Sequence, residues 1–305
     1  MKILGTGLSG LVGSRIIELL KERHEFDSSE VDITDRDKIT EKIKTSNASI
    51  VLHLAAKTDV DGCEIDKDSK EQGEAWRVNV LGTKNVALAC SISNKKLIYI
   101  STDFVFDGEN SLADGYKEED RPNPINWYGQ TKYGGEKIVQ NSNLPWLIVR
   151  IAYPYRANFA KGDFARGIIA KLKRAEKISA ITDHIMTPTF IDDIAYALDI
   201  IIQRNVTGIF HLVGSQFISP FEAAVLISNI FNFDKNLIQK TTRGKYFKDR
   251  AQRPFRLALK NDKINKWKAY DHHFYRTWVR WTCDCFCFCR TWQRSVGNRA
   301  YQRKN

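Results

Sequence analysis

A tyrosine and a lysine stand four apart in Trp127-Tyr128-Gly129-Gln130-Thr131-Lys132. On a helix that spacing puts both side chains on one face, about one turn from each other. An ammonium beside a phenol stabilises the phenolate and lowers its pKa from the ordinary value of about 10. Such a pair can exchange a proton with a substrate oxygen near neutral pH. Taken alone, Tyr-x-x-x-Lys also describes many helix surfaces, so its chemistry depends on what else reaches the same place. The apolar run Lys96-Leu97-Ile98-Tyr99-Ile100 reads as a strand, and Ser101-Thr102-Asp103 stands at its C-terminal end. A hydroxyl there can hydrogen-bond a substrate carbonyl while Tyr128 protonates it; capping of a turn is the other use of such residues.

The elements that must position these groups begin at the N-terminus. Lys2-Ile3-Leu4 is a short apolar strand that runs into Thr6-Gly7-Leu8-Ser9-Gly10-Leu11-Val12-Gly13. Leu11, Val12, Ile16, Ile17, Leu19 and Leu20 then follow helical periodicity. Strand, glycine turn and helix are the setting in which such glycines bind a dinucleotide. Gly7 permits the tight turn, Gly10 lets backbone approach a pyrophosphate, and Gly13 lets the helix pack close to the strand. The helix N-terminus offers free N–H groups and a positive dipole end to the phosphates. Gly7, Leu8, Ser9, Gly10, Leu11, Val12 and Gly13 are therefore the expected cofactor cradle, with a glycine turn that holds no ligand as the alternative.

Asp27 lies 20 residues after Gly7 and closes a strand expected near His24-Glu25-Phe26. That is about where an acidic residue takes the adenosine ribose hydroxyls. Ser28 and Ser29 follow rather than arginine, which leans toward NADH over NADPH because a carboxylate repels a 2′-phosphate. Asp32 and its neighbour Ile33 stand where the adenine edge would lie; capping by Asp32 or Thr34 of a helix over residues 36–45 is the rival reading. Ser49 to Ala56 reads as a buried strand whose small last residues, Ala55 and Ala56, admit a cofactor. Lys57, Thr58, Asp59 and Asp61 follow in a loop of the kind that lines the ligand crevice of parallel sheets. A long helix is expected from Trp76 through Ala89 and carries Asn79. Later come a strand at Trp146–Tyr155, helices at Phe164–Lys173 and from Asp192 to Ile202, a strand at Gly208–Gly214, and a helix from Ser219-Pro220 through Ile230. Carboxylates in the first helical turn account for Asp192 and Asp193 without a metal.

The 305 residues suffice for one large or two modest domains, and 43% hydrophobic with 27% charged is an ordinary globular balance. No apolar run is long enough to span a membrane and no signal-peptide core is present, so a cytoplasmic protein is expected. The net charge of +11 is uneven: residues 267–305 hold 8 Lys and Arg against 2 Asp and Glu, while the rest hold 39 against 34. A mildly basic body suits an anionic small molecule at least as well as a polynucleotide, and no nucleic-acid partner is expected. Cys63 and Cys90 are lone thiols, so the body has neither a disulfide framework nor zinc spacing, and no metal site is expected.

The Thr-Gly-x-x-Gly-x-x-Gly turn resembles the extended short-chain dehydrogenase/reductase superfamily. Ser-Thr-Asp-Phe-Val-Phe-Asp-Gly at 101–108 and Tyr-Gly-x-Thr-Lys at 128–132 resemble the dTDP-4-dehydrorhamnose reductase family more narrowly. Asp-Ile-Thr-Asp at 32–35 and Ala-Ala-x-Thr-x-Val-Asp at 55–61 fit the same family, and the likeness runs from residue 2 to about residue 266. It implies NAD(P)H-dependent reduction of a 4-keto nucleotide-deoxysugar, with Thr102, Tyr128 and Lys132 catalytic and Tyr128 and Lys132 also meeting the cofactor. It places Asn79 near the active site and Asp103, Tyr153, His184 and Arg253 on the substrate side. Read from the residues alone, Asn79 also suits a polar surface position and Tyr153 a core aromatic. Arg-Ile-Ala-Tyr-Pro-Tyr at 150–155 departs from the family's Arg-Thr-Ser-Trp-Val-Tyr where its members contact the sugar. His184 stands in place of a glutamine, as a hydrogen-bonding group or a proton shuttle. Arg253 could grip a nucleotide phosphate or form a surface salt bridge, and Arg256 replaces an asparagine.

The implied fold is an α/β Rossmann-type, doubly wound parallel sheet with a smaller C-terminal substrate lobe. Residues 1–150 would form the NAD(P)-binding domain, and 151–266 would complete it and build the lobe. Residues 267–305 hold 4 of 7 tryptophans and 4 of 6 cysteines, with Cys283, Cys285, Cys287 and Cys289 in alternation. This tail departs from the family and reads as out of frame, ahead of a metal-binding tail. Two other functions fit the same frame: a sugar-nucleotide epimerase or dehydratase with tightly bound NAD, and a non-catalytic regulatory subunit such as that of methionine adenosyltransferase. A homodimer is a candidate assembly.

Overall fold

The computed structural model describes residues 1–109, 115–160 and 162–268. The expectations for the tail beyond residue 268, its four cysteines included, lie outside the described residues. In chain order the first half comprises β1 (Lys2–Thr6), α1 (Leu11–Leu20), β2 (Glu25–Ser29), α2 (Arg36–Thr45), β3 (Ile50–His53) and α3 (Val60–Ile65). It continues with α4 (Glu74–Trp76), a π-helical turn at Arg77–Gly82, α5 (Thr83–Ile92), β4 (Lys96–Thr102) and α6 (Trp127–Gln140). The second half comprises β5 (Trp146–Ile151), β6 (Pro154–Tyr155), α7 (Phe164–Lys173), β7 (Ile178–Ile181), β8 (Thr189–Phe190), α8 (Ile191–Gln203) and β9 (Gly208–His211). It ends with α9 (Pro220–Phe231), β10 (Ile238–Thr241), α10 (Arg243–Tyr246) and α11 (Asp262–Lys268).

Six strands form one sheet in the order β2-β1-β3-β4-β5-β9, every pair parallel. Side chains alternate across a strand, and here the alternation supplies two cores. Ile3, Ile50, Leu52, Ile98, Ile100, Leu147 and Val149 meet Ile16 and Leu20 of α1 and Ile194, Leu198 and Ile201 of α8. Leu4, Val51, Leu97, Tyr99 and Ile148 point the other way, to Ile39 and Ile43 of α2, Val86 and Cys90 of α5, and Val139 of α6. Each fully buried Leu or Ile contributes about 1.5–3 kcal/mol, against about 0–1 kcal/mol for an exposed ion pair, so these two layers hold the sheet. The connection from β1 runs one way, to β2, and that from its neighbour β3 runs the other way, to β4. A crevice opens at such a switch point, outside the C-terminal ends of the strands. The doubly wound α/β fold is the one expected.

Beside this sheet, β7 and β10 pair in parallel and pack Ile178 and Ala180 against Leu172 of α7 and Ala224 of α9. Ser219 and Glu222 close a capping box at the start of α9, with Pro220 in its first turn. The chain then returns to the large sheet: Ile264 of α11 joins its core, and Lys263 Nζ donates to the Ile209 carbonyl at 2.6 Å. No helix among the described residues is long and apolar enough to cross a membrane.

Several boundaries differ from expectation for local reasons. β2 continues to Ser29, because its pairing with β1 runs through Leu4↔Asp27 to Thr6↔Ser29, so Asp27 lies mid-strand. The helix expected over 76–89 is broken by the π-helical turn and continues to Ile92. The strand expected over 146–155 divides into β5 and β6, since Tyr153 adopts φ +40 and the Pro154 that follows has no N–H to donate.

Candidate active site

The first backbone N–H groups of a helix have no partner within it. At the start of α6 a buried side chain, Asn126, and a half-buried one, Glu64, supply them. Asn126 Oδ1 accepts the Gly129 N–H at 2.8 Å while its Nδ2 donates to the Gln252 carbonyl at 2.9 Å. Glu64 Oε2, from α3, accepts the Trp127 N–H at 2.8 Å. Tyr128 thus projects from a turn fixed by three segments of chain. Gly129 permits the close approach behind it: a Cβ there would run into the Phe104 carbonyl oxygen. The Phe104 ring meets Tyr128 edge-on at 5.7 Å between centroids.

Thr102 is the last residue of β4. Its Oγ1 donates to Asp103 Oδ1 at 2.9 Å, accepts the Phe104 N–H at 3.3 Å, and is near enough to act on the Tyr128 phenol. Lys132, one turn beyond Tyr128, is 3% exposed. Its Nζ donates to the Ile100 carbonyl at 2.8 Å and sits 4.2 Å above the Tyr99 ring. Burial pushes the Lys132 ammonium down to about 7, and Glu136 works against that. Burial also pushes the Tyr128 phenol above its ordinary range, with the Thr102 hydroxyl opposing. Desolvation therefore outweighs the lowering expected from Lys132, whose ammonium in this structure bonds the Ile100 carbonyl. Asp103 is buried, its Oδ2 has no hydrogen-bond partner among the described residues, and burial pushes its carboxyl up to about 7.

Asn79 is buried rather than at the surface. On the π-helical turn, its Oδ1 accepts the Lys57 N–H at 2.8 Å, and its Nδ2 donates to the Lys57 carbonyl at 3.0 Å and to Thr131 Oγ1 at 2.9 Å. Thr131 in turn donates to the Tyr128 carbonyl at 2.9 Å. Asn79 so ties the crevice loop after β3 to the turn of α6 that carries Tyr128. π-Helical turns recur where a functional side chain must be re-aimed.

The glycine turn closes next to Ala55. Gly7 has φ +70, and a Cβ on it would lie 2.7 Å from the Ala55 nitrogen. Gly10 N–H donates to the Gly7 carbonyl at 3.1 Å, and among the described residues no side chain caps α1. Gly13 presses on Leu8 of the turn itself, while Leu8 belongs to the core. Ser9 and Gly10 are exposed, and Leu11, Val12, Ala55, Ala56 and Lys57 are half-buried. An uncapped helix N-terminus beside a backbone turn that no side chain could occupy fits a dinucleotide pyrophosphate.

Asp27 is half-exposed, and both its oxygens accept Lys42 Nζ at 3.1 Å. Asp32 neither caps α2 nor stands free. Its Oδ1 accepts the Thr34 N–H and hydroxyl, both at 2.8 Å, while Asp35 caps α2 by accepting the Lys38 N–H at 3.1 Å. The Ile33 side chain is core, pressed against Gly82, which leaves at most its backbone for a ligand.

On the other side, Tyr153 Oη lies 2.7 Å from His184 Nε2, and His184 Nδ1 lies 2.8 Å from the Pro254 carbonyl. A carbonyl only accepts, so Nδ1 carries the proton and Nε2 accepts from Tyr153. Both nitrogens are engaged and burial lowers the His184 pKa, which fits the hydrogen-bonding role rather than the proton shuttle. Arg253 is buried, not a surface residue; its Nη1 meets Asp61 Oδ1 at 2.7 Å and the Ala251 carbonyl at 2.6 Å. Burial would raise the Asp61 carboxyl, but Arg253 and Arg250 overcome that and hold it at about 2.

His53, which no sequence motif singles out, belongs to the same network. Thr83 Oγ1 donates to the Asn79 carbonyl at 2.7 Å, so it accepts from His53 Nε2 at 3.1 Å, and His53 Nδ1 accepts from Thr6 Oγ1 at 2.6 Å. A directed chain of hydrogen bonds thus links the glycine turn to Asn79. Burial holds His53 neutral, with a pKa pushed down to about 3. A histidine inside the apolar run Ile50-Val51-Leu52-His53-Leu54 was the available signal.

Comparison with known proteins places this geometry. Residues 1–285 match the family described as RmlD substrate binding domain. A probable low-salt glycan biosynthesis reductase of Haloferax volcanii is 30% identical over 272 residues, covering 83% of this chain and 88% of that protein. Methionine adenosyltransferase 2 subunit beta of Mus musculus is 26% identical over 97% of this chain and 91% of its own length. The crystal structure of dTDP-4-dehydrorhamnose reductase from Bacillus anthracis in complex with NADP superposes with a TM-score of 0.79 at 29% identity, covering 87% of this chain and 92% of that one.

Proposed function

This chain belongs to the RmlD substrate-binding-domain family, and from that premise we propose that it reduces the 4-keto group of a nucleotide-linked deoxysugar with a nicotinamide dinucleotide. The observation that carries the reading is the meeting of Thr102 and Tyr128 at the C-terminal end of β4, with Lys132 one turn behind. The glycine turn, Ala55 and the uncapped start of α1 hold the cofactor, which when bound supplies the hydride. Tyr128 donates the proton to the substrate oxygen; burial keeps the phenol protonated, the state a reduction requires. Lys132 in its ammonium form stabilises the phenolate left behind. Thr102 orients the carbonyl, and Asp103 holds the Thr102 hydroxyl in place.

Asp27 gives NADH a modest advantage, reduced because Lys42 already offsets the carboxylate. The relative that binds NADP agrees with an advantage that is small. An epimerase is disfavoured, since His184, the sequence's one loose candidate for the extra acid–base group, has both nitrogens committed. The regulatory alternative draws support from the likeness to methionine adenosyltransferase 2 subunit beta over 97% of this chain. Incubation with NADH or NADPH and a panel of nucleotide 4-keto sugars, followed by loss of reduced-cofactor absorbance, separates the three. A reductase consumes cofactor stoichiometrically with one sugar, an epimerase converts sugar without net consumption, and a regulatory subunit does neither.

A further inference from the structure

Behind Lys132 lies a second set of charges that the proposed reaction does not use. Glu136 stands one further turn along α6 and is completely buried. Arg150 of β5, 1% exposed, grips it with both arms: Nε to Oε1 at 2.9 Å and Nη2 to Oε2 at 2.8 Å. The third nitrogen, Nη1, turns to the Glu118 carbonyl and His211 Nε2, each at 3.4 Å, and the guanidinium lies over the Phe106 ring. A buried ion pair seldom stabilises a fold more than apolar side chains of the same volume would. This one lies beside a third buried charge, that of Lys132, whose only hydrogen bond among the described residues goes to the neutral Ile100 carbonyl.

We propose that Glu136, pinned by Arg150, is the positioning residue that keeps Lys132 charged behind Tyr128. The inference rests on the reading of Tyr128 and Lys132 as the proton-transfer pair. Residues four apart on a helix face one another, so Glu136 and Tyr128 flank Lys132 on its own element. His53 of β3 and Tyr99 of β4 face it from the sheet, Arg150 of β5 meets Glu136, and Asp103 and Cys63 face Tyr128. Burial keeps His53 and Tyr99 in their neutral forms. Glu136 is then the anion that acts on Lys132. The bidentate grip prevents the carboxylate from swinging away.

The test reads the lysine directly in the full chain. Lysines labelled with carbon-13 at Cε are titrated by NMR, and the Lys132 resonance is identified by its loss in Lys132→Met. In Glu136→Gln the midpoint of that resonance should fall by about one unit or more, a roughly tenfold smaller ammonium fraction at about pH 8. Glu136→Gln strands Arg150 and could cost the fold, so the pair Glu136→Leu with Arg150→Met removes both charges together. It should move the midpoint in the same direction but by less, because loss of the Arg150 cation partly offsets loss of the carboxylate. In turnover, the alkaline limb of kcat/KM should move down with the midpoint, and activity should recover toward wild type at about pH 6. An unmoved midpoint, or a loss of turnover equal at every pH, overturns the proposal and leaves the pair as packing. If the wild type reduces no sugar, the functional reading fails while the NMR titration still decides the role of Glu136.

Discussion

Replacing Tyr128 with phenylalanine removes one oxygen from the site and little else. The ring keeps its edge-on contact with Phe104, and the backbone of α6 keeps its Asn126 and Glu64 caps. Folding loses at most one polar contact with the Thr102 hydroxyl, about 1 kcal/mol, which lowers the melting temperature by at most about 4 °C. Catalysis loses its proton donor. General acids contribute about 10²–10⁴-fold, or about 2.7–5.4 kcal/mol of barrier at 1.36 kcal/mol per tenfold. Tyr128 is 8% exposed, so bulk water has little access to take its place. The assay compares the initial rate of NADH oxidation with the accepted sugar, the melting temperature, and dinucleotide binding by quenching of tryptophan fluorescence. The expected result is a fall in kcat of two to four orders of magnitude with binding and fold retained. A variant that keeps a tenth or more of wild-type kcat would remove Tyr128 from the mechanism.

Gly7→Ala should abolish dinucleotide binding and cost at least about 1 kcal/mol of stability, since φ is +70 and the new methyl would press on the Ala55 nitrogen; calorimetry and fluorescence titration check both. Asp27→Ser should raise the ratio of NADPH to NADH efficiency several-fold, because Lys42 would then face a 2′-phosphate unopposed; an unchanged ratio removes Asp27 from cofactor choice. Burial pushes His53 and His211 each down to about 3. The unfolded chain therefore binds more protons below the ordinary histidine pKa of about 6.5, and stability should fall as pH drops from there toward about 3, by about 1.4 kcal/mol per unit for each ring. His53→Gln should flatten that slope in urea titrations at successive pH values. For Asp61, whose folded pKa is lowered to about 2, the slope has the same sign in a more acid window: its contribution is complete above about 3.8 and is lost as pH falls through about 2. The difference in stability between wild type and Asp61→Asn should shrink across that window.

The sequence alone determined what depends on local pattern. Apolar alternation placed the strands, and helical periodicity bounded α1, α2 and α7, because the period of the backbone dictates which side chains share a face. The glycines marked a turn that only they can make, and the four-residue spacing of Tyr128 and Lys132 put both on one face of α6. Charge state was out of reach. Lys132 near a phenol suggested a lowered phenol pKa, yet desolvation raised it, and the depth of burial is set by β3, β4 and β5 packing behind the helix. Partner choice was equally non-local: Asp61 with Arg253, Tyr153 with His184, Glu136 with Arg150 and Thr6 with His53 join residues 14 to 192 positions apart. Propensity and spacing act over a turn or a strand, whereas ionisation and hydrogen-bond direction depend on which distant segment excludes the water. That was decided only when the sheet closed and brought those segments together.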